Sequence, residues 1–128
     1  MIKFGTDGWR AIIAEDFTFE NVKKVSQAYA QYLKSGKTKN IKVVIGYDTR
    51  FLSADFAKTA ASVLAANNIK ILMFKEPLPS PSLCLAITEK SASGGLMITA
   101  SHNPFNFNGI KIKTEQGGPA SPEQTTKI

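Results

Sequence analysis

Cysteine is almost absent from this chain. Cys84 stands alone among 128 residues, so no internal disulfide can form, and a reducing, cytoplasmic setting is predicted. It lies in the apolar segment Leu83 to Ile87 and reads as a packing residue rather than a nucleophile. No apolar run approaches the ~20 residues that a membrane span needs. The opening Met1-Ile2-Lys3-Phe4-Gly5 lacks the apolar core of a signal peptide. No membrane partner is expected. Acidic residues are the scarcer charge, 10 against 16 Lys and Arg, which leaves a net charge of +6. Such an excess suits nucleic acid or an anionic small molecule. The lysines are scattered over predicted helix faces and loop tips, however. No basic run is interleaved with aromatics and no groove-reading motif occurs, so nucleic acid is not expected as a partner. Internal repeats and low-complexity tracts are missing too.

What is present is ordinary for a globular domain: 43% hydrophobic and 20% charged residues. The length suits one domain with a real core, spanning 1–128. Gly5 and Gly8 place a loop at the amino terminus, followed by a short strand around Ala11 to Ala14. Phe19, Val22, Val25, Tyr29, Tyr32 and Leu33 recur at helical spacing, with Thr18 as cap and Gly36 as stop. The β-branched run 41–47 predicts a buried strand. Ser53 is read as the cap of a second helix, 69–74 as a strand, and Ser80-Pro81 as the cap of a third helix followed by proline at its first position. Residues 96–99 and 110–113 complete the strands. Strands alternating with helices predict an α/β fold, a parallel sheet covered on both faces. Near the carboxyl terminus Ser121-Pro122-Glu123-Gln124 has the pattern of a capping box. The chain stops barely one turn later, and a single turn does not repay its nucleation. The expectation is a chain cut from a longer protein.

The richest stretch runs from Gly94 to Lys113, G-G-L-M-I-T-A-S-H-N-P-F-N-F-N-G-I-K-I-K. A buried strand leads straight into a polar turn that offers a hydroxyl, an imidazole and an amide in succession. In α/β sheets the loops at the carboxyl ends of strands hold ligands. Ser101 is therefore the candidate for phosphoryl chemistry, with His102 and Asn103 as donors to a phosphate ester and free backbone N–H groups at the strand end. A Ser-His dyad for acyl transfer is the rival. Neighbouring residues in a turn rarely align hydroxyl and ring, and no G-x-S-x-G elbow surrounds Ser101. Asn108-Gly109 reads as a tight turn between strands, which would bring Lys111 back beside Ser101. There it can anchor a phosphate or transfer a proton. Lys113, two residues on, is a second anchor or plain surface. The amino-terminal Phe4-Gly5-Thr6-Asp7-Gly8-Trp9-Arg10 is a glycine-rich turn that does not match a P-loop. Arg10 can clamp a phosphate, and Asp7 can orient it or merely cap the turn. In Gly46-Tyr47-Asp48-Thr49-Arg50, Asp48 and Arg50 either pair locally to stiffen a loop or support the site. Segments 5–10, 46–50 and 99–104 should meet on one rim.

Taken together, F-G-T-D-G-W-R, G-Y-D-T-R, P-L-P-S-P and the Gly94–Lys113 stretch resemble the α-D-phosphohexomutase superfamily, the phosphoglucomutases and phosphomannomutases. The likeness covers nearly the whole chain, and the last motif is highly specific. It implies domain I of such an enzyme: a three-layer α/β/α domain with a four-stranded mixed sheet in the order 2-1-3-4 and the last strand antiparallel. The four predicted strands fit, as 69–74, 41–47, 96–99 and 110–113. It also implies an isomerase that interconverts hexose 1-phosphate and hexose 6-phosphate through a bisphosphorylated sugar. Ser101 would be the catalytic phosphoserine, His102 and Asn103 its neighbours, Lys111 the general acid/base and Arg10 a phosphate-contacting or conformation-holding group. A Mg2+ ion would touch the Ser101 phosphate. Family members are several times longer, and their acidic D-x-D-x-D metal loop, sugar-reading loop and carboxyl-terminal phosphate loop have no counterpart here. The resemblance thus implies partners in the remaining domains of the same enzyme and in a phosphosugar, with an apolar patch where another domain would sit. By itself the domain would be inactive. A free-standing phosphosugar-binding or regulatory module is the alternative.

Overall fold

The computed structural model describes residues 2–5 and 8–128. Its elements run β1 (Trp9–Ile12), α1 (Phe19–Lys34), β2 (Lys42–Tyr47), α2 (Ser53–Ala66), β3 (Lys70–Met73), α3 (Ser80–Glu89), β4 (Gly94–Ile98), β5 (Phe107–Thr114) and α4 (Pro122–Lys127). The sheet has the order β1-β5-β4-β2-β3. Strands β3, β2 and β4 are parallel, while β5 runs antiparallel to both β4 and β1.

The sheet therefore has five strands, not four. The four expected strands keep their expected order, and β1 is added at the edge. The reason lies in β5. Asn108-Gly109 is not a turn but the interior of an eight-residue strand. Its second half pairs with β4, from Ile110 opposite Ile98 to Thr114 opposite Gly94. Its first half overhangs β4, and β1 pairs with that overhang, Trp9 opposite Ile110 and Ile12 opposite Phe107. Burial of Trp9 and Ala11 anchors β1, with Trp9 stacked on Phe17 at 4.7 Å between ring centroids.

Two apolar cores make the three layers. Helices α1 and α2 cover one face, where Val22, Tyr29, Phe56 and Leu64 pack on Val43, Ile45, Leu96, Ile98 and Ile110. Helix α3 covers the other, setting Leu83 and Ile87 on Val44 and Met97. Successive strand residues point to opposite faces, so β4 and, beyond Lys42, β2 are buried throughout and feed both cores. Thr18 caps α1 by accepting from Asn21 N at 3.1 Å. The capping box at Ser121 forms as expected and starts α4. Ser53 and Ser80 are not caps. Leu52, at φ 63°, and Pro79 hold those positions without a side-chain bond. The Ser53 hydroxyl is used elsewhere.

Candidate functional site

Parallel neighbours β2 and β4 end side by side, so the loop after Tyr47 and the loop after Ile98 emerge together. That adjacency brings Asp48, Arg50 and Ser101 to one rim, as expected for the carboxyl ends of parallel strands. Ser101 is half-buried and left-handed, with φ 57°. A non-glycine residue held there stores strain of roughly 1 kcal/mol or more. The turn is pinned by its own strand. Ser101 N donates to Thr99 Oγ1 at 3.0 Å, Asn103 N to Ala100 O at 3.1 Å, and Thr99 N to Gly109 O at 2.9 Å.

Arg50 does more than form a local ion pair. Its Nη1 donates to Pro104 O at 2.7 Å and Phe107 O at 3.1 Å. Its Nη2 donates to Ser101 O at 2.8 Å and Asn103 O at 2.6 Å. Its Nε lies 3.5 Å from Asp48 Oδ2. Asp48 Oδ1 in turn accepts from Arg50 N at 2.9 Å and from Ser53 Oγ at 2.7 Å. Ser53 Oγ accepts from Asn108 Nδ2 at 2.9 Å, and Asn108 is fully buried in β5. A chain of polar contacts thus runs from β5 through α2 to the serine loop. Buried polar groups persist when each has its partners.

Arg10 also reaches the loop, donating from Nη1 to Asn103 Oδ1 at 2.9 Å. It stands opposite Gly109 in the β1–β5 pairing. Lys111 stands opposite Met97 and Lys113 opposite Gly95. Paired residues of antiparallel strands share a face, and Met97 belongs to the α3 side. Arg10, Lys111 and Lys113 therefore emerge on the same sheet face as α3, at its β5–β1 end. Lys111 lies one pleat repeat from Gly109, about 7 Å along β5, and Lys113 a further repeat away. Lys113 lines a cavity of about 540 Å³ together with Tyr29, Tyr32, Ile112 and Gln124, none of them from the serine loop. His102 is exposed, with no hydrogen bond or ion pair among the described residues. Asp7 lies outside the described residues.

The structure thus gathers Ser101, Asn103 and Arg10, sets Lys111 on the adjoining strand and leaves Lys113 further off. Thr99, Ser53 and Asn108 were missed as supports. The Asp48-Thr49-Arg50 triplet at a strand end was the one sequence signal that pointed to this network.

Among the described residues, no three His, Cys, Asp or Glu side chains gather where they could hold a metal. Asp48 is committed to Arg50 and Ser53. These residues do not by themselves make a Mg2+ site. No helix is long and apolar enough to cross a membrane among the described residues.

A left-handed serine thus stands at the end of a central parallel strand of an α/β domain, in a loop held by one arginine and touched by another. The family described as phosphoglucomutase/phosphomannomutase, alpha/beta/alpha domain I, matches residues 1–128, and the chain belongs to it. The phosphoglucomutase of Staphylococcus saprophyticus is 40% identical over 134 residues, which cover 100% of this chain and 24% of that protein. That of Staphylococcus epidermidis is 38% identical, covering 99% and 24%. The crystal structure of a putative phosphomannomutase from Thermus thermophilus superposes with a TM-score of 0.94 at 40% identity, covering 98% of this chain and 28% of that one. The chain spans about a quarter of the length of the curated relatives it matches.

Proposed function

We propose that this chain is the phosphoserine-bearing domain of a phosphohexomutase, cut from a longer enzyme whose other domains supply the sugar and metal contacts. Ser101 carries a phosphoryl group and passes it to a hydroxyl of a hexose phosphate. The P–Oγ bond breaks as the bond from phosphorus to the sugar oxygen forms. The proton leaving the sugar hydroxyl ends on Ser101 Oγ, carried by Lys111. The resulting bisphosphorylated sugar then returns its other phosphoryl group to Ser101 by the reverse sequence. Arg10, Asn103 and exposed His102 offer donors to the phosphoryl oxygens, and Lys113 adds positive charge further along β5. In-line transfer depends on positioning and charge neutralisation more than on covalent work by the protein. Mg2+ would neutralise phosphoryl charge when bound. This chain's contribution to holding it is an oxygen of the Ser101 phosphate, and the other ligands come from outside the chain.

The observation that carries this reading is the conformation of Ser101 at the end of β4, with Arg10 on the neighbouring Asn103. Phe51, 69% exposed, and Phe105, 88% exposed, belong to the two loops that Arg50 joins, which suits a surface that another domain covers.

The test is a mutase assay of the whole gene product against glucose, mannose and glucosamine 1-phosphates, with Ser101→Ala beside it. The expected result is turnover of at least one sugar phosphate and a loss on the order of a thousandfold or more in the alanine variant. Full turnover by Ser101→Ala overturns the assignment.

A further inference from the structure

An arginine beside a phosphorylatable serine suggests a phosphate clamp. The bonding of Arg50 points the other way. A guanidinium has five N–H donors. In Arg50 four meet the carbonyl oxygens of Ser101, Asn103, Pro104 and Phe107, and Nε faces Asp48. The side chain is 14% exposed. We propose that Arg50 is a positioning residue that wraps the 101–107 loop around its guanidinium and holds Ser101 left-handed, without contacting phosphate.

The argument is geometric. Two bonds within the turn, Ser101 N to Thr99 Oγ1 and Asn103 N to Ala100 O, pin its start, and Phe107 N donates to Pro104 O at 3.0 Å at its end. Between them the loop carries Pro104, which has no N–H to donate. A single planar cation from another loop ties its two ends together by donating to four of its carbonyls. Turned inward onto Arg50, the backbone leaves Ser101 Oγ without a partner among the described residues. Asp48 balances the charge, and Ser53 and Asn108 fix Asp48 from behind. Lysine cannot replace this fork, since its ammonium is compact and has three donors.

This inference rests on the phosphoserine reading for its kinetic arm only. The first arm needs no substrate. In nuclear magnetic resonance spectra of this chain, a residue with positive φ shows a strong Overhauser contact between its own amide and α protons. We expect that contact for Ser101 in the wild type and its loss in Arg50→Lys, with faster amide exchange confined to 99–107. In the whole gene product, Arg50→Lys is expected to lower kcat about a hundredfold, as misplacement of a reacting group does, with KM within about threefold. Methylguanidinium should restore part of the activity of Arg50→Ala.

Retention of the Ser101 contact in Arg50→Lys overturns the proposal. So does a rise in KM with kcat unchanged, which would make Arg50 a phosphate ligand, or loss of signals across the whole sheet, which would make its role general stability. Failure of the phosphoserine reading shows separately, as full turnover by Ser101→Ala.

Discussion

Arg10 crosses directly over Gly109. A Cβ added to Gly109 would stand 3.1 Å from Arg10 Cγ, 2.6 Å from Trp9 O and 2.7 Å from Thr99 O. Gly109 has no side chain because β1, the Arg10 side chain and the end of β4 all close on that point. Gly109→Ala must push the two backbones apart or expel Arg10 from Asn103. The expected result is a loss of about 1–3 kcal/mol in denaturant unfolding, the usual toll of overpacking. The same variant should release Arg10, detectable as a shift in the Asn103 side-chain amide resonances.

Ser101 is strained where it matters. Glycine adopts the left-handed region without penalty. Ser101→Gly should therefore stabilise the domain by up to about 1 kcal/mol, whereas Ser101→Ala, which keeps a Cβ at φ 57°, should not. Both should abolish phosphorylation at this position. Paired thermal melts decide it: equal midpoints for glycine and alanine would mean that the turn carries no strain.

Asn108 is the buried hub behind the loop. It donates to Ser53 Oγ, and its own Oδ1 accepts from Gly109 N at 2.8 Å. Asn108→Leu leaves Gly109 N buried without its acceptor, while Ser53 Oγ keeps its bond to Asp48, so a loss of about 1–3 kcal/mol is expected from the one orphaned group. Ser53→Ala, which removes one link between Asn108 and Asp48, should cost less. Chemical denaturation of both variants checks the order.

Tyr29 is buried under Gly94, and its hydroxyl has no hydrogen-bond partner among the described residues. Burial pushes the phenol well above its usual value, and neighbouring Tyr32 pushes it in the same direction. The raised folded-state value means that the native state keeps its proton where the unfolded chain loses it. Stability is therefore complete below about pH 10, where unfolded tyrosine titrates, and falls as pH rises above it by up to about 1.4 kcal/mol per unit. Tyr29→Phe removes both the orphan hydroxyl and this dependence. It should be at least as stable as wild type at neutral pH and hold its stability better in alkali, as denaturant midpoints across pH would show.

Periodicity and punctuation were enough to locate the three main helices and four of the strands, because buried faces impose spacing that a reader can count. Thr18 and the Ser121 box were legible for the same reason: caps are local. The mistakes in the sheet share one origin. Asn-Gly carries the local signature of a turn, but at 108–109 the asparagine side chain is absorbed by Ser53 and Phe51 O, and the glycine gives room to Arg10. Once those residues are extended, β5 doubles in length and β1 acquires an edge to pair with. One misread dipeptide thus hid the length of β5 and kept the short strand read around Ala11 to Ala14 out of the expected sheet.

The order of residues alone determined that this chain is a layered α/β domain with a polar serine turn at the end of a buried strand. Those features follow from side-chain hydrophobicity and short-range backbone preference, which act within a few residues. Tertiary structure alone decided that Arg50 spends its donors on the serine loop, that Arg10 lies across Gly109, and that Lys111 and Lys113 occupy different depths of the sheet. The arginine bonds to the serine loop join groups 51 to 93 positions apart, and the lysine placements follow from the β4–β5 register, so each arises only after the sheet has brought its parts within reach.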